Sequence, residues 1–346
     1  MGWFSRRRSG SRSSADARAA VAEFWEWWSG AAFGIAAAIP AGTVERYVEV
    51  MTHHVHAIDP GLAWEFGPGT SSEHRLTVTA EGDPSLRRVA RRWLRAAPPP
   101  DRTWSFHDMR QPSALDSVLR VGDAELMIGD VRVAATRRGS GLDVEVHHPL
   151  FARLPEQVQT QIAFLSLDTA LGEEAVELWI GSIDRMSHEP SGSRPLADLP
   201  AKLAEVIADA TVDGEMGWTL QRGNGPRGPV LVSRLNRLSP VQAPDHDEHV
   251  AVVVPFRDVT EDGWPGTGSL DALRDFEDHL GRILRGSGQL VAVETSGGVR
   301  TLHYYVDSTT PAAGQVKAAV VGWDQGVVTV KSQSDPAWKA VAAFRS

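Results

Sequence analysis

Three stretches of this sequence carry side chains whose types could do chemistry. Asp245-His246-Asp247-Glu248-His249 sets two histidines three apart among carboxylates, the donor types that hold a divalent metal. A metal site needs three or four ligands on a rigid frame, and no remote third ligand is identifiable. The stretch after Pro244 therefore reads as an acidic loop, and no metal is expected. Asp168 stands in an apolar run, close in helical angle to Phe164, Leu165 and Leu171. A carboxylate held there could be an acid of raised pKa, with His147 and His148 as neighbours. No G-x-S-x-G or comparable nucleophile motif accompanies it, so bonding to backbone amides or to an arginine in the core is the favoured reading. The third stretch, Arg222 to Gly228 ("RGNGPRG"), looks like a phosphate loop but lies in a hairpin without the strand-to-helix context such loops need. The "HHVH" cluster belongs to a helix whose apolar stripe is Val44, Val48, Met51, Val55 and Ile58. His53 and His56 then point away from that stripe, towards solvent. No catalytic residue and no cofactor follow from these patterns.

The elements around these residues are of mixed type. Val21, Phe24, Trp25, Trp28, Ala32, Ile35 and Ile39 recur at helical spacing and predict a helix over 15–39, after a basic disordered tail at 1–14. Strands are expected at 62–66, 74–79 and 103–107, with Asp83-Pro84 opening a helix to about Ala97. A hairpin joins 131–136 to 142–147. A helix runs over 156–171, breaks at Gly172 and restarts as "EEAVELWI". Strict alternation of helix and strand is absent, so the first domain, residues 15–190, reads as α+β. His188 to Pro200 holds three prolines and two serines in thirteen residues and reads as the start of a linker and short helix over 191–211.

Residues 212–346 predict a lead-in hairpin, 218–221 and 230–235, followed by β-α-β-β-α-β at 250–256, 269–284, 290–295, 300–306, 312–321 and 327–331. That order defines a ferredoxin-like domain. The fold expected is thus α+β in two domains, the second ferredoxin-like with an added N-terminal hairpin. A Gly297-Gly298 turn would pair Thr295 with Arg300 and Val293 with Leu302. Alternation then sends Val291, Val293, Arg300, Leu302 and Tyr304 towards the helices. On the helix, Glu277 falls at about 60° from Leu280, inside the apolar arc. Glu277 and Arg300 would both point inward and form a partly buried ion pair with a structural role. Leu290, Ala292, Glu294, Thr301, His303 and Tyr305 take the opposite sheet face. In a two-layer domain that face is open to a partner or to the first domain. Glu294, Thr301, His303 and Tyr305 are its candidate binding residues.

"FEDHL" (Phe276 to Leu280), "VAVETSGGVRTLHYYVD" (Val291 to Asp307) and "DPAW" (Asp335 to Trp338) together resemble the bacterial family catalogued as domain of unknown function 695. That family is in turn similar to the type B regulators of ribonuclease E activity, small ferredoxin-like inhibitory proteins. The resemblance covers roughly residues 215 to 346 and rests on structural motifs. It implies a fold and a regulatory role, and it supplies no catalytic residues. "HHPLF" and "LDTALGE" in the first domain look like segments that accompany this domain in related bacterial proteins.

With 346 residues the chain has room for two cores. Cysteine is absent, which removes disulfides and thiolate chemistry and favours the cytoplasm over export. No apolar run reaches the ~18 residues of a membrane span. Arg6, Arg7 and Arg8 precede a stretch too interrupted by Asp16, Glu23 and Glu26 to be a signal peptide. A net charge of -9 repels phosphate backbones. The expected function is a non-enzymatic regulatory or protein-interaction role through the open sheet face. RNA binding by stacking on His303 and Tyr305 is the alternative that the charge disfavours. A hydrolase or metal-dependent enzyme using Asp168, His147, His148 or the Asp245–His249 loop is the third reading.

Overall fold

The computed structural model describes residues 14–122, 124–212 and 215–345. The basic tail read at 1–14 lies outside these residues except for Ser14, which opens the first helix. The chain is mixed α+β, with several sheets, and divides into two compact units between Asp209 and Ala210.

In the first unit, helices α1 (Ser14–Ala38) and α2 (Val48–Ile58) bury Phe24, Trp28, Ile35, Met51, Val55 and Ile58. They share a core with Trp93 and Trp104. His53 and His56 are exposed, and the ring of His54 stacks on Trp27. Strand β1 (Ala63–Pro68) pairs antiparallel with β2 (His74–Thr79), and α3 (Arg87–Arg95) crosses over to place β3 (Trp104–His107) parallel to β2. Helix α3 begins later than Asp83-Pro84 predicted. Asp83 Oδ1 accepts the Ser85 amide at 2.9 Å and its hydroxyl at 2.7 Å, so this side chain closes a turn and leaves the helix uncapped.

A small hairpin of β4 (Val118–Val121) and β5 (Ala124–Met127) precedes a second sheet. In that sheet β6 (Arg132–Arg138) and β7 (Gly141–His147) form the expected hairpin. Helices α4 (Glu156–Leu171) and α5 (Glu173–Trp179) then carry the chain to β8 (Ile180–Met186), parallel to β7. Sequence periodicity carried α5 through Ile180 and missed β8, whose burial does not alternate. The proline-rich segment read as a linker is built into the unit. Strand β9 (Arg194–Pro195) pairs with β6, and Leu196, Leu199, Leu203 and Val206 around α6 (Leu199–Ala210) are buried. Apolar spacing there outweighs the turn-forming residues.

The second unit opens with a short ribbon, β10 (Thr211–Val212) on β11 (Glu215–Met216). Its main sheet uses β12 (Trp218–Gly225), β13 (Gly228–Leu235), β14 (His246–Pro255), β15 (Gly288–Ser296), β16 (Val299–Asp307) and β17 (Thr329–Ser334). Their spatial order is β12-β13-β15-β16-β14-β17, and every neighbouring pair is antiparallel. Helices α7 (Thr267–Ile283) and α8 (Ala312–Ala319) lie on one face. There Leu273, Leu280 and Val316 close a core with Val250, Val252, Val254, Leu302 and Tyr304. Gly297 and Gly298, at φ 56° and 76°, turn β15 into β16 as a two-residue hairpin requires.

Candidate functional site

The second sheet face is set by alternation along β14, β15 and β16, with one irregularity. Leu290 pairs with Tyr304 and Ala292 with His303, so Val291 is an extra residue, a β-bulge. The bulge exchanges two expected positions. Leu290 packs under the helices with Tyr304, while Val291 joins Ala292 and Tyr305 in a separate core on the far side. A single inserted residue reverses the alternation, and nothing in the apolar run marks it.

That far side is open only in part. The C-terminal segment from Asp335 to Phe344 lies across it as a strap. Tyr305 is fully buried, its ring stacked 4.4 Å from Trp338, and its hydroxyl donates to Asp335 Oδ2 at 2.7 Å. The same carboxylate accepts the amides of Lys339 and Ala340 at 2.9 and 2.8 Å, which fixes the start of the last short helix. Trp338 adopts a left-handed backbone, φ 52°, and its indole N–H donates to the His246 carbonyl at 2.9 Å. His303 lies edge-on to Phe344, and its Nδ1 shares a 3.1 Å hydrogen bond with Nε2 of His249. Burial and then the neighbouring His249 push His303 down to about 4. His303 and Tyr305, expected on an open face, are thus covered. The aromatic strap covers Tyr305 fully and His303 in part because its apolar groups need the same shelter.

Beyond the strap the same face carries a half-buried row, with Arg227 Nη2 3.9 Å from Glu294 Oε1. Glu294 stands opposite Thr301, flanked by Val232 on β13 and Val253 on β14, and all four are half-buried. On the helix side, Arg300 Nη1 donates to Glu277 Oε1 at 2.7 Å and its Nε to Thr295 Oγ1 at 3.1 Å. Residues 246–249 lie in strand β14 and not in a loop, with a register shift between His246 and Glu248. Asp247 accepts the amide and hydroxyl of Ser308, each at 3.0 Å. Among the described residues no three His, Asp or Glu groups are placed to hold a metal ion.

Asp168 has other neighbours than the two histidines suggested for it. His147 bonds the Met186 carbonyl at 2.9 Å, and His148 receives the Leu150 amide. Asp168 instead lines a cavity of about 710 Å³ with Arg87, Arg110 and Glu173. Gly172 makes this arrangement. At φ 84° and ψ 149° it ends α4 and starts α5, and a Cβ there would meet Pro112 at 2.9 Å. So Asp168 and Glu173 come from the two sides of one backbone break. Glu173 is well held: Thr79 Oγ1 donates at 2.6 Å, the Arg110 amide at 3.0 Å, and Arg87 lies at 2.9 Å. Burial opposes its charge, yet these partners keep it below the usual carboxylate range. Among the described residues the ion partner of Asp168 is Arg110 Nη1, at 3.6 Å. Burial and then the Glu173 charge push it up to about 7, against the pull of Arg110 and Arg87. Sequence reasoning found Asp168 but missed Glu173, Arg87 and Arg110, whose positions depend on β2, α3 and a loop far away in the chain.

Residues 230–344 match the model of DUF695, a family of unknown function. The DUF695 region takes in β13 through the strap, and with it the Glu294–Thr301 row and the Glu277–Arg300 pair. No curated protein and no solved structure matches the chain. Among the described residues no helix is long and apolar enough to cross a membrane.

Proposed function

We propose that this chain is a non-enzymatic regulatory protein, working in the cytoplasm, that binds a protein partner across the part of the second unit's sheet beyond the strap. One observation carries the reading: Val232, Glu294, Thr301 and Val253 form a continuous half-buried row that belongs to neither of the unit's two core clusters. A row mixing two valines with polar groups suits a protein surface of similar mixed character. In the same reading the DUF695 region is a ferredoxin-like domain. The order β15-β16-β14-β17 with two helices on one face supports that. The likeness to regulators of ribonuclease E activity then extends to role as well as fold. RNA loses its main support, because Tyr305 under Trp338 has no free ring face to offer a base.

The test places a photo-crosslinking residue at Val253 and, separately, at exposed Val321 on the helix side. In native cell extract Val253 should give a discrete protein adduct that survives ribonuclease, and Val321 should not. Adducts from both positions, an adduct lost with ribonuclease, or a crosslink only within the same chain would overturn the reading.

A further inference from the structure

The cavity beside Asp168 belongs wholly to the first unit and is independent of the sheet face above. Four carboxylates, Glu81, Asp168, Glu173 and Glu177, line it against two guanidiniums, Arg87 and Arg110. Both arginines are already engaged. Arg87 bridges Glu173 and Glu177, while Arg110 holds Glu65 at 3.0 Å and Glu81 at 3.1 Å. Asp168 is 7% exposed, yet its side chain accepts no hydrogen bond from any described residue. A buried carboxylate in that condition has given up hydration without full compensation. The remaining wall is part apolar, with Leu165, Val176, Ile180 and Ile183, and part polar, with Gln157, Thr160 and Gln161, and Phe164 is 45% exposed at its side. Glu81, at φ 48°, holds a left-handed backbone at the rim, a conformation that a side chain adopts at some cost.

An anion is excluded by the surplus of carboxylates. A divalent metal lacks its ligand set among the described residues. A neutral ligand would leave Asp168 as it is. We propose that the cavity binds an organic cation, a primary or secondary amine with an apolar body, its ammonium paired with Asp168 and its hydrocarbon or aromatic part against Phe164, Leu165, Ile180 and Ile183. The volume, about 710 Å³, suits a small molecule of this kind. The groups facing Asp168 are Arg110, Arg87, Glu173 and Glu65. Of these, Glu173 is already kept ionised by its partners. Asp168 is thus the group that titrates near neutrality, and cation binding should strengthen as it ionises.

The experiment uses the full chain with benzylamine and its neutral counterpart benzyl alcohol, read by ligand-observed NMR and calorimetry between pH 6 and 8. Benzylamine stays charged throughout. It should bind at least about tenfold tighter than benzyl alcohol at pH 8, and its affinity should rise by about tenfold from pH 6 to pH 8 as Asp168 ionises. Asp168→Asn should bring benzylamine down to the level of benzyl alcohol and abolish the pH dependence. Phe164→Ala, at an exposed position, should weaken both probes and keep their ratio. Equal affinity for the two probes, benzylamine binding that survives Asp168→Asn, or no binding of either probe at millimolar concentration would each overturn the proposal.

Discussion

Replacing Glu277 by glutamine keeps the shape of its side chain and removes the charge that faces Arg300. The pair is neither fully buried nor exposed: the Arg300 side chain is 12% exposed and that of Glu277 is 22%. Breaking a buried pair costs about 3–5 kcal/mol, and an exposed pair is worth about 0–1 kcal/mol. Burial of this degree puts the loss from either single change, Glu277→Gln or Arg300→Met, at about 2 kcal/mol. For a unit of this size that corresponds to a fall in Tm of roughly 6–8 °C. Glu277→Leu combined with Arg300→Met removes both charges and should recover much of the loss, to about 1 kcal/mol, which amounts to a coupling of about 3 kcal/mol. Calorimetry on residues 210–346, which contain both cores of the second unit, gives the cycle without interference from the first unit's transition. Losses that add to within about 0.5 kcal/mol would refute the pairing energy reasoned from this geometry.

Two pH responses of opposite sign follow from the buried titrating groups. Asp168 is raised to about 7, so the folded state keeps a proton that the unfolded chain releases near 3.8; the first unit should therefore lose stability as pH rises between these values, by up to roughly 4 kcal/mol. Asp168→Asn should flatten that slope and stabilise the unit at pH 8 in thermal melts, and an unchanged slope would point to another group. His303 is depressed to about 4, so the unfolded chain takes up a proton first, and the second unit should lose stability as pH falls from about 6.5 towards 4. Melts of His303→Gln should lack most of that acid loss; a wild-type slope in the variant would mean that His249 or a carboxylate carries it.

Long periodic segments were legible from sequence because burial and helical spacing coincide in them. The stripe of α1, the strand at 74–79 and the β-α-β-β-α-β succession of the second unit are of this kind. The meeting of Glu277 with Arg300 was readable too, since a two-glycine turn fixes register and register fixes facing. Features that depend on one residue's backbone were not. The bulge at Val291 exchanges Val291 with Leu290, and the Asp83 side chain delays α3, although the local residue types permit the alternative in each case. The strap was missed for a different reason. Trp338 and Phe344 show no periodicity, and only the sheet they cover gives them a place. The cavity around Asp168 joins β1, β2, α3, the Arg110 loop and α5, and sequence distance conceals such a gathering.

The position of β14 bears on how the second unit is made. Of the four strands β15, β16, β14 and β17 it is the first to leave the ribosome, yet its two neighbours in the sheet, β16 and β17, come much later in the chain. Until they arrive, its alternating valines have only α7 to shelter against, and both of its hydrogen-bonding edges lie bare. Loop closure over such separations is slow, and bare strand edges recruit other chains. Synthesis thus passes through an interval in which β14 is a sticky, half-dressed strand, and that interval ends only when the last strand has been translated. The acidic Asp245-His246-Asp247-Glu248 stretch at its start is well placed as a gatekeeper during this wait, since like charges discourage two nascent copies from pairing there.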